Sequence, residues 1–368
     1  MKTFPLQSLS IQEAMQTQFR LVDAITRHFS GDDILTCGDL GVKEGLNRPM
    51  ATSTAEEVLS DFFGCEAAMF VRGAGTGALR MALFAVVGAG GRLLLHDAPI
   101  YPTTKTSIEM MGINVHSADF NDYNATREAV LAKSSDAVLI QATRQKPDDS
   151  YNLEKLIEAI RSANAEIPII TDDNYAALKT PHIGTQIGGT LATFSCFKLL
   201  GPEGVGVIVG EKKWINKLRE HNYSGGSQVQ GHEAIEALRG MIYAPVALAI
   251  SAQVTEEVAH RLNQGEIGGI DDAFVVNAQS KVVIVRLKQP IARAVLQAAR
   301  KFGAAPHPVG AESKYEFVPM LYQASGTFRA ADPDSAQYML RINPMRAGAD
   351  TVIRILAQAM KEIEQRGQ

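Results

Sequence analysis

The chain has 368 residues, of which 46% are hydrophobic and 21% are charged, and its formal net charge is −4. This length and apolar content can fill a large core and favour two domains over one. The charge balance argues against a nucleic-acid-binding protein, which would present a basic face. No uninterrupted apolar stretch reaches about 18 residues, which argues against a membrane span.

The cysteines and the N-terminus bear on the expected compartment. Cys37, Cys65 and Cys196 show no paired spacing, and their odd number argues against a disulfide framework. The N-terminal segment lacks the hydrophobic core of a secretion signal. We therefore expect a reducing environment and a cytoplasmic location.

The N-terminal region predicts two helices separated by a loop. Apolar residues at helical spacing cover 10–29, which we interpret as the helix of an N-terminal arm. Residues 31–53 are rich in Gly, Asp, Asn and Pro, as expected for a loop. A second helix is predicted over 54–64, with Thr54 as its N-cap and Gly64 at its end.

Short apolar runs then alternate with amphipathic segments. Strands are predicted at 67–71, 92–96, 113–117, 137–141, 167–171, 191–195 and 205–209. Helices are predicted at 78–87, 103–111, 125–133 and 153–163. This alternation favours right-handed crossover units and a mainly parallel sheet with helices on both faces.

The pattern changes in the last third of the chain. Residues 230–262 predict a long helix with a break at Pro245. The predicted elements that follow are a strand (275–287), a helix (291–302), a loop (304–319), a strand (338–343) and a helix (349–365). This order is typical of a smaller α+β domain. The predicted division is an N-terminal arm (1–35), a large domain (36–245) and a small C-terminal domain (246–368).

A glycine-rich turn, GAGTG at 73–77, follows the first predicted strand. In open parallel sheets, ligands bind beyond the carboxyl ends of the strands. Glycine lets backbone N–H groups approach an anion closely, and the start of the next helix adds a favourable dipole. The turn therefore predicts phosphate binding by Gly75, Thr76 and Gly77.

The same turn has two other interpretations. Asp97 lies about 20 residues further on, where a dinucleotide fingerprint places the acidic residue that binds a ribose hydroxyl. Ala78, however, stands where that fingerprint needs its third glycine. An NAD-dependent oxidoreductase is therefore a distant alternative, and an ordinary packing turn is another.

Three further candidates follow later strands. Tyr101 follows the second predicted strand, where its aromatic face would suit a flat heteroaromatic ring, although an ordinary loop tyrosine is the alternative. Asp172 and Asp173 follow the strand at 167–171 and are unusual core residues. One of them would bind a metal, act as a base or pair with a protonated pyridine nitrogen. Asp172 comes first after the strand, and Asp173 is expected to point to the opposite face.

A lone lysine, Lys198, lies in the apolar run at 194–201. A buried lysine without a partner is costly, and a desolvated amine is suited to imine formation. Ser195, three residues earlier, would be placed to bind a phosphate. A lysine that extends to solvent from the strand end is the alternative interpretation.

Two arginines complete the set. Arg341 lies in the apolar run MLRIN, and its guanidinium would fit a substrate carboxylate, with a structural ion pair as the alternative. Arg144 follows the strand at 137–141 and would line a ring or a substrate. The histidines, including His96, show no metal-ligand spacing, so they are interpreted as core or surface residues and no metal is expected.

Together these motifs resemble the fold type I pyridoxal-phosphate enzymes, the aspartate aminotransferase superfamily, over nearly the whole chain. GAGTGALR at 73–80 is similar to its phosphate-binding turn, DDNY at 172–175 to its pyridine-nitrogen motif, and SCFK at 195–198 to its Ser-x-x-Lys motif. Tyr101 and Thr104 resemble the ring-stacking Tyr-x-x-Thr of the cystathionine lyase branch. Runs such as DAPIYPTT, TDDNYA and FSCFKLLGPEGVG are similar to the YhfS-like group of bacterial pyridoxal-phosphate proteins.

The resemblance implies a cofactor, a fold and partners. Pyridoxal 5′-phosphate would be joined to Lys198 as a Schiff base, with Asp172 at the ring nitrogen. Arg341 would bind the carboxylate of a small amino substrate. The implied fold is α/β, with a mainly parallel seven-stranded sheet in the large domain and a smaller α+β C-terminal domain. The implied assembly is a homodimer with shared active sites. The charge balance and the lack of a long apolar stretch, in turn, lead us to expect no nucleic-acid or membrane partner.

The chain departs from typical aminotransferases in two places. Ala74 stands where they usually have serine, and QATRQ at 141–145 replaces their Asn-Pro-x-Gly element. GPEGVGVIVG, after Lys198, is similar to the class V and selenocysteine-synthase-like branches. We expect an aminotransferase-like activity on an amino acid, with a pyridoxal-phosphate-dependent lyase as the alternative. A degenerate protein that binds the cofactor without turnover is a third possibility.

Overall fold

The computed structural model describes residues 3–132, 135–146, 148–223, 225–278, 280–307, 312–324 and 335–366. Backbone contacts divide the chain into two compact units. The larger unit consists of Gln12–Gln145 and Ser150–Pro245. The smaller unit consists of Met1–Ile11, Lys146–Asp149 and Val246–Gln368.

Strands and helices alternate along the first two thirds of the chain. The strands are β1 (Ala67–Arg72), β2 (Arg92–His96), β3 (Asn114–Ala118), β4 (Ala137–Gln141), β5 (Ile169–Asp172), β6 (Leu191–Ser195) and β7 (Val205–Gly210). The helices are α1 (Ile11–His28), α2 (Met50–Phe63), α3 (Ala74–Val86), α4 (Pro102–Met110), α5 (Tyr123–Leu131), α6 (Leu153–Ala163), α7 (Lys212–His221) and α8 (Gly231–Asn263). The short, highly charged α7 was not predicted from the sequence.

The seven strands form one sheet in the order β1-β7-β6-β5-β4-β2-β3. β7 runs antiparallel to both of its neighbours, and the other neighbouring pairs are parallel. This arrangement confirms the predicted mainly parallel, seven-stranded sheet. The carboxyl ends of β2, β4, β5 and β6 therefore lie along the same edge of the sheet.

Helices cover both faces of this sheet because successive side chains in a strand point to opposite sides. In β2, Leu93 and Leu95 belong to a core beneath α3, α4 and α7. Leu94, between them, belongs to a second core beneath α5 and α6. The near-continuous apolar strands of the sequence thus reflect burial on both faces.

Helix α2 begins four residues earlier than predicted. Thr54 is not its N-cap; the helix begins at Met50, and the Asp39 carboxylate accepts hydrogen bonds from the N–H groups of Met50 (2.6 Å) and Ala51 (2.9 Å). The cap thus comes from a residue eleven positions away in the preceding loop, which local spacing does not reveal. Gly64 ends the helix with φ +64°, as predicted.

The predicted break at Pro245 is absent, because α8 continues through the proline to Asn263. Proline removes one intrahelical hydrogen bond, and here the helix accommodates that loss. By length and composition alone, the helical segment Gly225–Asn263 could cross a membrane, although most of its apolar window is buried in the protein. A core helix of a globular protein passes the same test.

The smaller unit has an antiparallel sheet of its own. Its elements beyond α8 are β8 (Ile270–Ala278), β9 (Ser280–Leu287), α9 (Ala292–Ala299), β10 (Met320–Gln323), α10 (Ser335–Tyr338), β11 (Met339–Asn343) and α11 (Ala349–Arg366). The sheet order is β10-β11-β9-β8. The single strand predicted at 275–287 is therefore wrong: the chain forms the antiparallel pair β8–β9 instead. β10 lies where no strand is predicted from the sequence, and the α+β class is confirmed.

Candidate active site

Polar residues cluster where parallel strands end. Gln141 ends β4, Asp172 ends β5, and the two are paired across neighbouring strands. Ser195 ends β6 and is buried. Lys198 lies in the short helical turn Cys196–Leu199 that follows β6. Parallel pairing thus brings Asp172 and the Ser-x-x-Lys segment, which are distant in sequence, to one edge of the sheet.

The Asp172 carboxylate has one satisfied oxygen and one open oxygen. Its Oδ1 accepts hydrogen bonds from the backbone N–H of Asn174 (3.1 Å) and from the Asn174 side-chain amide (2.7 Å). Within the described residues, Oδ2 accepts none. Burial raises the pKa of Asp172, and the two Asn174 hydrogen bonds and the Lys198 charge counteract part of that rise. Asp172 is therefore a desolvated carboxylate with one oxygen left for a cationic partner.

Asp173 points away from this position, as predicted. Its side chain is buried, where it accepts hydrogen bonds from the Thr171 hydroxyl and the Gly184 N–H. Burial raises the pKa of Asp173 to about 7, and the neighbouring Asp172 charge adds to the rise. The adjacent carboxylates thus lie in different environments, and only Asp172 contributes to the pocket described below.

The Lys198 amine lies next to an aromatic face. It is half-buried, and its Nζ is 3.7 Å from the centroid of the Tyr175 ring. A cation at this distance is attracted by the ring quadrupole. Tyr175 belongs to the DDNY motif, but the sequence predicts no role for it. Its position three residues after Asp172, in the loop that leaves β5, was the available signal.

The glycine-rich turn is the first turn of α3 rather than a loop before it. The helix begins at Ala74, four residues before the predicted start at Ala78. The N–H groups of Gly73 and Ala74 donate to the Gly204 carbonyl, whereas those of Gly75 and Thr76 have no acceptor among the described residues. Unpartnered N–H groups at a helix start suit an anion. The Thr76 hydroxyl donates to the Thr103 hydroxyl at 3.2 Å.

Two glycines of this turn have close neighbours. A Cβ at Gly75 would lie 2.6 Å from Cγ of Asn174, so the Asn174 side chain would have to move. A Cβ at Gly77 would overlap the Arg72 carbonyl. The sequence interpretation attributed these glycines to phosphate approach; the structure gives each of them a packing reason as well.

An open pocket lies at this edge of the sheet. Tyr101 and Asp172 both line it, so the structure brings these two predicted site residues together. Its other lining residues are Leu95, His96, Ile100, Thr104, Leu139, Gln141 and Gln145. The lining combines apolar side chains and an aromatic ring with polar groups that could orient a ligand.

His96 is a pocket residue that the sequence interpretation missed. Its ring is buried, stacks on Phe120 at 5.2 Å and meets Tyr151 edge-on at 5.5 Å. The Phe120 N–H donates to His96 Nδ1 at 3.0 Å, so Nδ1 accepts in this contact. Its position as the last residue of β2, before the Tyr101 loop, was the usable signal.

Arg144 is engaged in the loop that follows β4. Its Nε and Nη2 donate to the Tyr151 carbonyl at 3.0 and 2.8 Å, and its φ is +68°. These bonds hold the loop, and Arg144 does not line the pocket described above. Its predicted role in substrate binding stays a prediction.

Arg341 belongs to the smaller unit. It lies in β11 opposite Tyr322 of β10, and its guanidinium carbon is 4.0 Å from the centroid of the Tyr322 ring. Tyr322 is buried, which raises the pKa of its hydroxyl to about 12. The stacking orients the guanidinium, and its predicted contact with a substrate carboxylate stays a prediction.

The residues of the larger unit fit pyridoxal phosphate. Its aldehyde requires an amine, its ring nitrogen an anion, its ring an aromatic wall and its phosphate N–H donors. Lys198, Asp172, Tyr101 and the start of α3 are residues of these types at one sheet edge. Among the described residues, no group of His, Cys, Asp and Glu side chains could hold a metal ion.

Comparison with known proteins identifies the family. Residues 48–244 match the aminotransferase class-V family, and residues 256–356 match the YhfS-like C-terminal domain. A relative from Escherichia coli (strain K12), the uncharacterized protein YhfS, is 52% identical and covers 99% of this chain and 100% of its own. The crystal structure of that pyridoxal-5′-phosphate-dependent protein superposes with a TM-score of 0.97 over 98% of this chain and 100% of that one.

More distant solved structures share the fold. A cystathionine γ-lyase from Micromonospora echinospora is 12% identical, with a TM-score of 0.72 over 94% of this chain and 99% of its own. A cystathionine γ-synthase from Xanthomonas oryzae is 16% identical, with a TM-score of 0.70 over 96% and 98%. The family matches set aside the NAD-dependent alternative. The chain belongs to the aminotransferase class-V family of pyridoxal-phosphate-dependent enzymes and carries a YhfS-like C-terminal domain.

Proposed function

We propose that this pyridoxal-phosphate-dependent enzyme is a lyase that eliminates a leaving group from the side chain of a small amino acid. The observation that carries the proposal is that Tyr101 and Thr104 line the same pocket as Asp172. The Tyr-x-x-Thr spacing is similar to the cystathionine lyase branch, and the γ-lyase and γ-synthase noted above share the fold. This proposal reverses the order that the sequence suggested, in which an aminotransferase came first.

The strand end at Gln141 supports the same choice. Aminotransferases of the superfamily usually have an Asn-Pro-x-Gly element there. In this chain the Gln141 amide donates to the Arg144 carbonyl at 2.9 Å and to the Thr143 hydroxyl at 3.4 Å. The amide is therefore used within its own loop, so a group that would be available in a typical aminotransferase is already engaged.

The chain's residues have these roles in the proposal. Bound pyridoxal phosphate supplies an electron sink for negative charge that develops at the substrate Cα. Lys198 would hold the cofactor through its amine and would then transfer the proton at the substrate Cα. Asp172 would offer its second carboxylate oxygen to the protonated ring nitrogen. Tyr101 would provide an aromatic wall for the ring.

Anion recognition uses separate groups. The N–H groups of Gly75 and Thr76 and the Ser195 hydroxyl would bind the phosphate. The Gly77 N–H, which the sequence also assigns to the phosphate, already donates to the Gly73 carbonyl at 2.8 Å. Arg341 binds the substrate carboxylate through its guanidinium fork. Both assignments follow the residue types and the family resemblance.

Product analysis separates the candidate reactions. The purified protein, loaded with its cofactor, is incubated with amino acids that carry a leaving group at Cβ or Cγ. A lyase releases a 2-oxo acid and ammonia from a single amino acid, without a second 2-oxo acid. Product that forms only when pyruvate or 2-oxoglutarate is added contradicts the lyase proposal and identifies an aminotransferase. No turnover of any amino acid would favour a binding protein.

Transamination is the second candidate, because residues 48–244 match the aminotransferase class-V family. Transamination and elimination share Lys198, Asp172 and the phosphate site, so the two candidates differ only in how the carbanion reacts. A half-reaction that converts the bound cofactor to its amine form with stoichiometric oxo-acid release would support this candidate.

A homodimer forms part of the proposal. In the larger unit, large apolar side chains are exposed around the loop before α2: Leu35 (80%), Leu40 (74%), Val42 (48%) and Met50 (41%). Tyr243 of α8 is also exposed (65%). An interface with a second copy would cover such side chains. Analytical ultracentrifugation should give twice the chain mass, and a monomer at working concentration would contradict this part.

A further inference from the structure

Asn174 lies next to two of the predicted site segments, the Asp172 carboxylate and the start of α3. It follows Asp172 by two residues, and its backbone N–H and side-chain amide both donate to Oδ1 of Asp172, at 3.1 and 2.7 Å. The other carboxylate oxygen accepts no hydrogen bond from the described residues. Asn174 therefore determines which oxygen of Asp172 remains available.

The same side chain packs against the start of α3. A Cβ at Gly75 would lie 2.6 Å from Cγ and from Nδ2 of Asn174. The backbone of Gly75 has no positive φ, so an alanine would be acceptable there in conformation. A side chain at position 75 would therefore have to displace Asn174.

The orientation of the Asn174 amide is determined by its neighbour. An amide oxygen turned towards the Asp172 carboxylate would place two acceptors together, so the NH₂ group must face Asp172. The Asn174 Oδ1 is then buried without a hydrogen-bond partner among the described residues. A buried acceptor without a donor is costly. Stability alone does not explain it, which points to a role in the site.

We propose that Asn174 is a positioning residue that holds Oδ1 of Asp172 so that Oδ2 faces the ring nitrogen of pyridoxal phosphate, and that Gly75 is glycine to make room for it. Asn174 itself does not touch the cofactor in this arrangement; it acts through Asp172. The inference rests on the proposed pairing of Asp172 with the ring nitrogen, and it holds for elimination and transamination alike.

The physical effect concerns the charge of Asp172. Two N–H donors favour the ionised carboxylate and oppose the desolvation of a buried position. Without the side-chain donor, the carboxyl group would hold its proton more readily and rotate more freely. The ring nitrogen would then lose the anion that keeps it protonated.

The test measures the protonation of the ring nitrogen directly. The protein is loaded with cofactor labelled with ¹⁵N in the ring, and the ¹⁵N chemical shift is recorded for wild type, Asn174→Ala and Asn174→Asp. We expect wild type to show a protonated ring and both variants to shift towards the neutral pyridine value. Cofactor dissociation should become about tenfold faster, the factor that corresponds to one pKa unit of lost stabilisation. Asn174→Asp keeps the side-chain volume if Asn174→Ala does not fold.

Matched variants separate positioning from general destabilisation. Asn152→Ala removes an asparagine that caps α6 through the Lys155 N–H at 3.0 Å, in the same unit. It should lower the melting temperature and leave the ¹⁵N shift unchanged. Gly75→Ala should reproduce the shift of Asn174→Ala, and the double variant should shift no further, because the added methyl acts by displacing Asn174.

The outcomes distinguish this inference from the function on which it rests. An unchanged ¹⁵N shift in both Asn174 variants, with a clear change in Asp172→Ala, overturns the role of Asn174 and keeps Asp172 at the ring nitrogen. An unchanged shift in Asp172→Ala as well overturns the pairing itself. A shift in Asn152→Ala equal to that in Asn174→Ala also contradicts the inference, because any destabilisation would then suffice.

Discussion

The carboxyl edge of the seven-stranded sheet and the β10–β11 pair both carry charged side chains, but the surroundings of those charges differ. At the sheet edge, Asp172 and Lys198 lie at or just after strand ends, and one oxygen of Asp172 has no hydrogen-bond donor within the part of the chain that the structure describes. In β11, Arg341 lies inside a strand and stacks on Tyr322 of the neighbouring strand at 4.0 Å.

The difference reflects where the chain leaves a sheet. A residue that follows a parallel strand lies beyond the carboxyl ends of the strands, where no neighbouring strand covers it. Its charge is therefore available to a ligand. A residue within a strand has cross-strand neighbours, and these provide part of its environment. Charge at a strand end therefore indicates a ligand more directly than charge within a strand.

The largest expected effect comes from removing the lysine at the sheet edge. Lys198→Ala should lower kcat by roughly 10²–10⁴-fold or more, because it removes both the covalent link and the proton-transfer group. Lys179 is a matched control, since its Nζ lies 5.0 Å from the centroid of the same Tyr175 ring. Steady-state kinetics should show near wild-type turnover for Lys179→Ala. A larger loss of kcat in Lys179→Ala than in Lys198→Ala would contradict the role of Lys198.

The second effect sharpens the contrast between the adjacent aspartates. Burial raises the pKa of Asp173 to about 7 from an ordinary value of 3.8. Between these values the folded protein keeps the proton and the unfolded chain has lost it, so stability falls as pH rises from about 4 to about 7. The total loss in the free energy of unfolding is about a few kcal/mol. Asp173→Asn stays neutral at every pH and should not show this loss.

Urea unfolding of wild type and Asp173→Asn at several pH values measures that difference. The free energy of unfolding of the variant, relative to that of wild type, should increase as the pH rises towards 7. Above pH 7 this difference should stay constant. A difference between the two proteins that does not change with pH would show that Asp173 carries no shifted titration.

The third effect tests the charge within the strand. If Arg341 binds a substrate carboxylate, Arg341→Ala should raise KM by about 10- to 100-fold, the range expected for charge-assisted hydrogen bonds. Arg286→Ala, in the neighbouring strand β9, provides the control. Should Arg341→Ala lower the melting temperature while KM stays the same, Arg341 is a structural partner of Tyr322.

The smallest effect concerns the aromatic wall of the pocket. Tyr101→Ala should weaken cofactor binding by about 3- to 10-fold, the range expected for loss of an aromatic stack. Tyr101→Phe keeps the ring and should bind within about twofold of wild type. Fluorescence titration of the cofactor measures both, and equal losses in the two variants would assign the effect to the hydroxyl instead.

The sequence predicted most of the parallel sheet because its strands are short apolar runs buried on both faces. β4, β6 and α6 have the predicted bounds. The sequence predicts one strand in place of the β8–β9 pair because residues 277–280, Asn-Ala-Gln-Ser, contain no glycine or proline that would indicate a turn. The cap of α2 comes from Asp39, which no local rule identifies.

The candidate site was predictable only where a residue type is unusual for its position. Lys198 in an apolar run and paired carboxylates after a strand meet that condition. His96 and Asn174 do not, because a histidine at a strand end and an asparagine in a loop are ordinary. Their significance comes from contacts across the fold, with Phe120 in one case and with Gly75 in the other.

The most direct test of the central claim is to locate the covalent link to the cofactor. Borohydride reduction of the protein loaded with pyridoxal phosphate should fix the cofactor irreversibly. Peptide mapping by mass spectrometry should then place pyridoxyl phosphate on Lys198. Pyridoxyl phosphate on another lysine, such as Lys179, or a cofactor that dialyses away after reduction, would contradict the account.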